Sequence, residues 1–274
     1  MFLLCENVSS YQMSQLNIVD NKPALLIDIF IDGKPNRVLV ISDLHIGIAY
    51  WLRSSDIAID WYHIIKDIET ELRDIVISNK VNSIVLLGDI KDNIFKMEKQ
   101  DWNLIPNFLH SLAEICEVYL IPGNHDSRIA LISPDNIHLI GVKGMVLDDI
   151  LLTHGHTFPS ELRSNINKII MGHIHPTFFR ENSILSGQKV WIFLKVKKEA
   201  IFPSTKGSLD IVLLPSFNRY VYGHGRPRKG KINSPILKKI LKKEIIDKCL
   251  VVSIDGTIIG NENTLGEVFN PDFN

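Results

Sequence analysis

The sequence predicts an α/β protein whose strands are buried on both faces. Three observations carry this. The first is Val38-Leu39-Val40-Ile41-Ser42-Asp43-Leu44-His45, a β-branched apolar run that stops abruptly at Asp-x-His. Such a run, bounded by polar residues, is the pattern of a strand covered on both sides. The second is that four later segments repeat the arrangement of apolar run, turn and polar side chains. The third is that helix-period segments alternate with strands early in the chain, whereas the later part is richer in strands.

In chain order, residues 24–30 read as a strand. Asp32-Gly33 supplies hairpin chemistry, and the return strand is residues 37–42. Apolar residues at Ile57, Trp61, Ile64, Ile65, Ile68, Leu72, Ile75 and Val76 predict a helix over 56–79. Residues 81–87 form the next buried strand. A second helix over 99–113 turns Trp102, Ile105, Phe108, Leu109 and Leu112 inward, with Pro106 as a potential kink. Strands follow at 117–121, 150–153 and 167–171, with a turn at 133–136. The remainder predicts strands at 189–196 and 209–215, a helix over 235–247, and a hairpin through Asp255-Gly256. Residues before Lys22 fit no element. With no linker or repeat, residues 1–274 read as one domain with a motif core over 38–176 and a strand-rich part over 189–274.

Composition sets bounds on partners. Of the 274 residues 45% are hydrophobic and 22% charged, which suits a globular protein with a sizeable core. A net charge of −1 gives no global attraction to nucleic acid or membrane, so a nucleic-acid partner needs a local basic patch. Cys5, Cys116 and Cys249 lack metal-type spacing and point to a reducing cytoplasm. No apolar run reaches the ~18 residues of a membrane span, and the start lacks signal-peptide features.

Five strand ends carry the chemistry. They present Asp43 and His45, then Asp89, then Asn124 and His125, then His154, then His173 and His175. Mixed oxygen and imidazole donors suit Mn²⁺, Fe²⁺ or Zn²⁺ better than Ca²⁺ or Mg²⁺. Each residue alone has a bland explanation: a hydrogen-bonded histidine, Asp89 as a helix N-cap, Asn124 as a turn residue. The joint order of Asp-x-His, Gly-Asp-x-x-Asp, Gly-Asn-His-Asp, His-Gly-His and Gly-His-x-His makes coincidence a poor account.

That series, Asp43-Leu-His45, Gly88-Asp89-Ile-Lys-Asp92, Gly123-Asn124-His125-Asp126, Thr153-His154-Gly155-His156 and Gly172-His173-Ile-His175, resembles the calcineurin-like metallophosphoesterase superfamily. The resemblance implies a four-layer αββα sandwich with mixed sheets and two divalent metal ions, Mn²⁺ foremost, with Fe, Zn, Ni or Co as alternatives. More narrowly, Leu87-Gly88-Asp89-Ile-Lys91, Ile170-Met-Gly-His-Ile-His-Pro176, Leu213-Leu214-Pro215-Ser-Phe217 and Asn233-Ser234-Pro235 resemble the archaeal phosphoesterases related to SbcD and their PdeM-type relatives. Asp92 departs from that subfamily, where His is more usual. By resemblance the first metal takes Asp43, His45 and His175, the second takes Asn124, His154 and His173, and Asp89 bridges them. A bridging water, acidified by the ions, then attacks phosphorus in line. His125 resembles the family's acid/base histidine, with Asp126 expected to orient it. Asp126 and Asp92 also read as structural turn residues. Arg128 and His156 are candidate phosphate contacts, or neighbours of a loop.

The expected substrate is a phosphodiester, of DNA or nucleotides, with DNA-repair proteins as partners of that class. Alternatives are a small-molecule, cyclic-nucleotide or monoester phosphatase, and an inactive scaffold of the same fold. Arg226, Arg228, Lys229 and Lys231, in a loop with His224, and Lys238, Lys239, Lys242 and Lys243 on the late helix form the local basic patch, read either as phosphate contacts or as a solvated face. Tyr50 and Trp51 are candidate base-stacking residues, or packing residues under the first motif's loop.

Overall fold

Asp32 and Gly33, at φ of 51° and 75°, close the hairpin between β2 (Leu25–Ile31) and β3 (Lys34–Ile41). Two successive positive φ angles match the right-handed twist of the flanking strands, which is why Asp-Gly sits there. The computed structural model describes residues 14–47, 61–94, 97, 99–160, 163–221, 233–242 and 244–269. Tyr50, Trp51, His224, Arg226, Arg228, Lys229, Lys231, Lys243 and the expected helix residues 56–60 lie outside them.

β1 (Gln15–Ile18), an element the sequence left unplaced, pairs antiparallel with β2. From β3 the sheet continues in parallel through β4 (Ser83–Leu86), β5 (Glu117–Leu120) and β6 (His138–Leu139). The order of this six-stranded sheet is β1-β2-β3-β4-β5-β6. The second sheet has seven strands in the order β13-β12-β10-β11-β9-β8-β7. They are β7 (Met145–Leu147), β8 (Ile150–Thr153), β9 (Lys168–Met171), β10 (Val190–Lys197), β11 (Ser208–Leu213), β12 (Ile246–Ser253) and β13 (Ile258–Gly260). Only β8-β9 and β9-β11 are parallel within it.

The sheets face one another across Ile27, Val40, Val85, Ile150, Ile170 and Trp191, all fully buried. On the outer face of the first sheet lie α1 (Trp61–Asn79) and α2 (Asp101–Ala113). On that of the second lie α3 (Pro235–Ile240) and a short 3-10 turn, Glu262–Glu267. The architecture is the two-sheet, helix-flanked sandwich that the family resemblance implies.

Three local expectations change. Trp102 is not on the inner face of α2; it is 49% exposed, while Ile105, Phe108, Leu109 and Leu112 are buried. α2 runs unbroken through Pro106. The late helix ends at Ile240, because residues 246–253 are drawn into β12 against β10 and Leu241 leaves helical geometry at ψ 68°. Lys238, Lys239 and Lys242 are exposed, as a solvated face requires.

Candidate metal centre

The carboxyl ends of β3, β4 and β5 from one sheet meet those of β8 and β9 from the other. Ligands of α/β sheets collect where strands end and loops turn away. The loop after β3 stays paired to the loop after β4: Asp43 N donates to Gly88 O at 3.1 Å, His45 N to Asp89 O at 2.8 Å and Ile46 N to Ile90 O at 2.7 Å. The two sheets are joined through His173 N, which donates to the Asp43 carboxylate at 3.0 Å. Gly172 permits this approach, since a Cβ there would collide with Ser42 Oγ and come 2.6 Å from Asp43 Oδ2.

Backbone handedness aims the side chains. Asp43, His45, Asp89, His173 and His175 have φ of 59°, 41°, 52°, 73° and 48°. The Asp-x-His and His-x-His turns thus use the same alternation on opposite sheets. Left-handed backbone costs a non-glycine residue on the order of 1–3 kcal/mol and persists where surrounding contacts fix it.

Two sets of side chains built around Asp89 result, beside a third formed by His45, Asp92 and His125. Asp43, His45, Asp89 and His175 bring one donor atom each within 4.8 Å of the others, and so do Asp89, His154 and His173. Asp89 belongs to both. His45 Nε2 and His175 Nε2 are 3.2 Å apart, and His175 Nε2 lies 3.1 Å from Asp43 Oδ1. Two imidazoles sharing one ion at about 2.0–2.1 Å per bond fall at this spacing. In the second set His154 Nε2 is 3.3 Å from Asp89 Oδ2 and 3.2 Å from Asn124 Oδ1. His154 Nδ1 donates to Leu87 O at 2.6 Å, leaving Nε2 to face the cluster. These Asp and His groups are able to hold metal ions, and their donor chemistry fits divalent ions of the first transition row.

The electrostatics agree with a cation site. Burial would raise the Asp43 carboxyl, but His175 and His154 bring it down to about 2. Burial likewise opposes ionisation of Asp89, and His154 overrides it, holding the carboxyl far below the usual range. Burial would lower His154, yet Asp89 and Asp43 lift it to about 9. Burial and the neighbouring His154 push His173 down to about 3, keeping its ring neutral.

His125 sits beside the cluster, with Nε2 3.8 Å from Asp89 Oδ2 and its backbone N–H on Asp89 Oδ1 at 2.8 Å. Its orientation differs from expectation. Asp126 does not hold the His125 ring; its carboxylate accepts from Gly123 N and Ile90 N, both at 2.8 Å, and from Lys91 N at 3.2 Å. It therefore shapes the loop carrying Asp89. The His125 ring instead hydrogen-bonds through Nδ1 to the backbone carbonyl of Asp92, whose carboxylate lies 3.2 Å from His45 Nδ1. Asp92 thus supports two site histidines at once, a role the sequence left level with a plain turn.

His156 packs near His154 and His173, with ring centroids 5.2 and 6.2 Å away. Its Nδ1 is buried without a hydrogen-bond partner among the described residues. Burial and His154 depress it to about 4. Arg128 is exposed at the start of a short 3-10 turn, and no described contact ties its guanidinium to the cluster. Ser234, part of the Asn-Ser-Pro signal, donates to Gly155 O at 2.9 Å and caps α3, anchoring the His-Gly-His turn.

Comparison with known proteins extends this picture. No curated protein sequence matches the chain. Among solved structures, the Pseudomonas putida nuclease MPE covers 84% of this chain and 97% of its own at 15% identity, with a TM-score of 0.49. YfcE, a phosphoesterase from E. coli, covers 82% and 97% at 15% identity and 0.40. An archaeal phosphodiesterase covers 64% and 99% at 14% identity and 0.33. The family model described as calcineurin-like phosphoesterase matches residues 36–225, the stretch holding all five strand-end motifs. The chain belongs to the calcineurin-like phosphoesterase family.

Proposed function

We propose that the chain is a two-metal phosphodiesterase acting on a nucleic-acid or nucleotide phosphodiester. The observation that carries this is Asp89, a carboxylate shared by two compact sets of ligating side chains in a phosphoesterase family member. Asp43, His45 and His175 would hold one ion and Asn124, His154 and His173 the other, with Asp89 available to both. Bound there, a pair of divalent ions would neutralise phosphoryl charge and acidify the attacking water. Mn²⁺ is the expected metal.

The chain's own residues supply the rest. With its Nδ1–H given to the Asp92 carbonyl, His125 turns Nε2 toward the cluster, and as the imidazolium it delivers the Nε2 proton to the leaving oxygen and returns to the neutral Nδ1–H form. Asp126 keeps the Asp89 loop in place through three backbone N–H groups. His156, packed beside His154 and His173, meets a non-bridging phosphate oxygen through Nε2, and the exposed Arg128 contributes a positive charge further out. The narrower likeness to SbcD-related and PdeM-type enzymes favours DNA as the polymer.

The test is Mn²⁺-dependent hydrolysis of bis-p-nitrophenyl phosphate, p-nitrophenyl phosphate and single-stranded DNA, alongside His125→Ala. The expected outcome is cleavage of diester and DNA, reduced roughly 10²–10⁴-fold by the substitution while metal uptake persists. Cleavage of the monoester alone would make the protein a phosphomonoesterase. Absence of all turnover with metal bound would leave a scaffold.

A further inference from the structure

The turn bearing Asp43 and His45 has two edges, and only one is accounted for by the neighbouring strand. The N–H groups of Asp43 and His45 point to the loop after β4. The carbonyls of Ser42 and Leu44, on the opposite edge, point to residues 214–221, the strap that follows β11. Phe217 N donates to Ser42 O at 2.8 Å, and Asn218 Nδ2 donates to Leu44 O at 2.7 Å. Asn218 is 1% exposed, and its own Oδ1 accepts from Tyr220 N at 3.0 Å.

The strap is gripped in turn by one side chain. Lys189, at the entry to β10, donates from Nζ to Ser216 O at 2.8 Å and to Asn218 O at 2.5 Å. Those two carbonyls bracket Phe217. An ammonium this sheltered is costly: burial drives Lys189 down to about 7, against the attraction of Asp43 and Glu71. Carbonyl groups satisfy it, yet an apolar residue at the start of β10 would serve the fold without that cost. The left-handed backbone of Asp43 and His45 needs restraint on both edges, and the strap supplies the second.

We infer that Lys189 and Asn218 are positioning residues, which lock the Asp43–His45 turn in ligating geometry through the strap. The inference deepens the metal-centre reading and rests on it. It is asymmetric: the strap's contacts run to Ser42 and Leu44, so the ion held by Asp43, His45 and His175 depends on them more than its neighbour does.

The test uses the full chain and four variants, Lys189→Met, Lys189→Arg, Asn218→Asp and, as a surface control on the same strap, Arg219→Ala. Hydrogen exchange of the chelated protein is read in peptides covering residues 42–47 and 168–172. Mn²⁺ binding is then titrated calorimetrically. Lys189→Met and Asn218→Asp are expected to speed exchange in 42–47 but not in 168–172. They are expected to weaken one of two Mn²⁺ sites about 10–100-fold, the usual effect of losing an outer partner of a ligand. Lys189→Arg restores both readouts, and Arg219→Ala matches the wild type. Wild-type exchange and two unaltered sites in both Lys189→Met and Asn218→Asp would overturn the inference. Faster exchange in 42–47 of Lys189→Met and Asn218→Asp, with a wild type that takes up no Mn²⁺, would keep the latch and remove the phosphodiesterase reading. Uniform loss of both metal sites with faster exchange everywhere would reduce Lys189 to a fold residue and also overturn it. Asn218→Asp, isosteric with the native side chain, keeps the test decisive if Lys189→Met does not fold.

Discussion

Asp92 shows how one residue divides its work between side chain and backbone. Its carboxylate meets His45 and its carbonyl meets His125. Asp92→Ala removes the first contact and leaves the second. The expected result is an activity curve displaced to roughly 10–100-fold higher Mn²⁺, with the plateau rate kept. Asp92→Asn, which retains an acceptor oxygen, should stay near wild type. A lowered plateau at saturating Mn²⁺ would show that the His125 arrangement depends on the carboxylate as well. The cysteines make a second case. Burial raises Cys116 to about 11 and Cys249 to about 12. In a Cys5→Ser background, a thiol reagent at pH 8 should therefore find no reactive group in the native state and two after unfolding. Both folded pKa values lie above the ordinary thiol value of 9.0. The neutral thiols thus support the fold fully below about pH 9, and that contribution is lost as pH climbs toward 11 and 12. The ligand-type residues were legible because Asp, His and Asn cluster at strand ends in a fixed order. The partner of Asp126 was not, because a carboxylate that caps three backbone N–H groups looks the same in sequence as one that orients a ring. Lys189 and Asn218 carried no local signal, since their partners lie 27 to 174 positions away in the chain.

Among the elements, α2 carries a built-in flaw. Pro106 lies inside the helix and removes one backbone donor from its ladder. An interior proline costs roughly 3 kcal/mol relative to alanine, so Pro106→Ala should raise the melting temperature. A fall would mean that the ring's packing against its neighbours outweighs the lost hydrogen bond. The same helix shows where periodicity misleads. Trp102 keeps the spacing of an inner-face residue, yet the indole is exposed while Asp101 beside it in the first turn is buried. The late helix failed for a different reason. Residues 235–247 have helical spacing, but pairing of β12 with β10 over Ile246–Ser253 competes for its second half, and a long-range ladder is invisible to local pattern. Strands β6 and β7, two and three residues long, were too short to announce themselves, and β1, Gln-Leu-Asn-Ile, carries no apolar run.

At the level of the whole molecule, the site joins two sheets that also meet through apolar side chains, among them Val40, Val85, Ile150 and Ile170. Asp43 and Asp89 come from one sheet, His154 and His173 from the other. Ions bound to this set add stability by mass action, about 2.7 kcal/mol per site at a hundredfold excess over Kd. With both sites filled, saturating Mn²⁺ should thus raise the melting temperature by roughly 10–20 °C, with chelator reversing it. A scan unmoved by Mn²⁺ would count against both ligand sets. The sandwich was legible at this scale because each buried run ended in a turn and helix spacing alternated with strands. How the two sheets face each other was implied only by the family resemblance.

The left-handed turns at the strand ends also limit what this centre can become. Asp, Asn and His are the residues that tolerate that backbone best after glycine. At positions 43, 45, 89, 173 and 175 the chain therefore draws on an alphabet of three ligands. A drift toward thiolate coordination, which would retune the centre to softer ions, would first have to rebuild the turns. The path of the main chain, settled before any ion arrives, is what keeps the centre's chemistry among oxygen and imidazole donors.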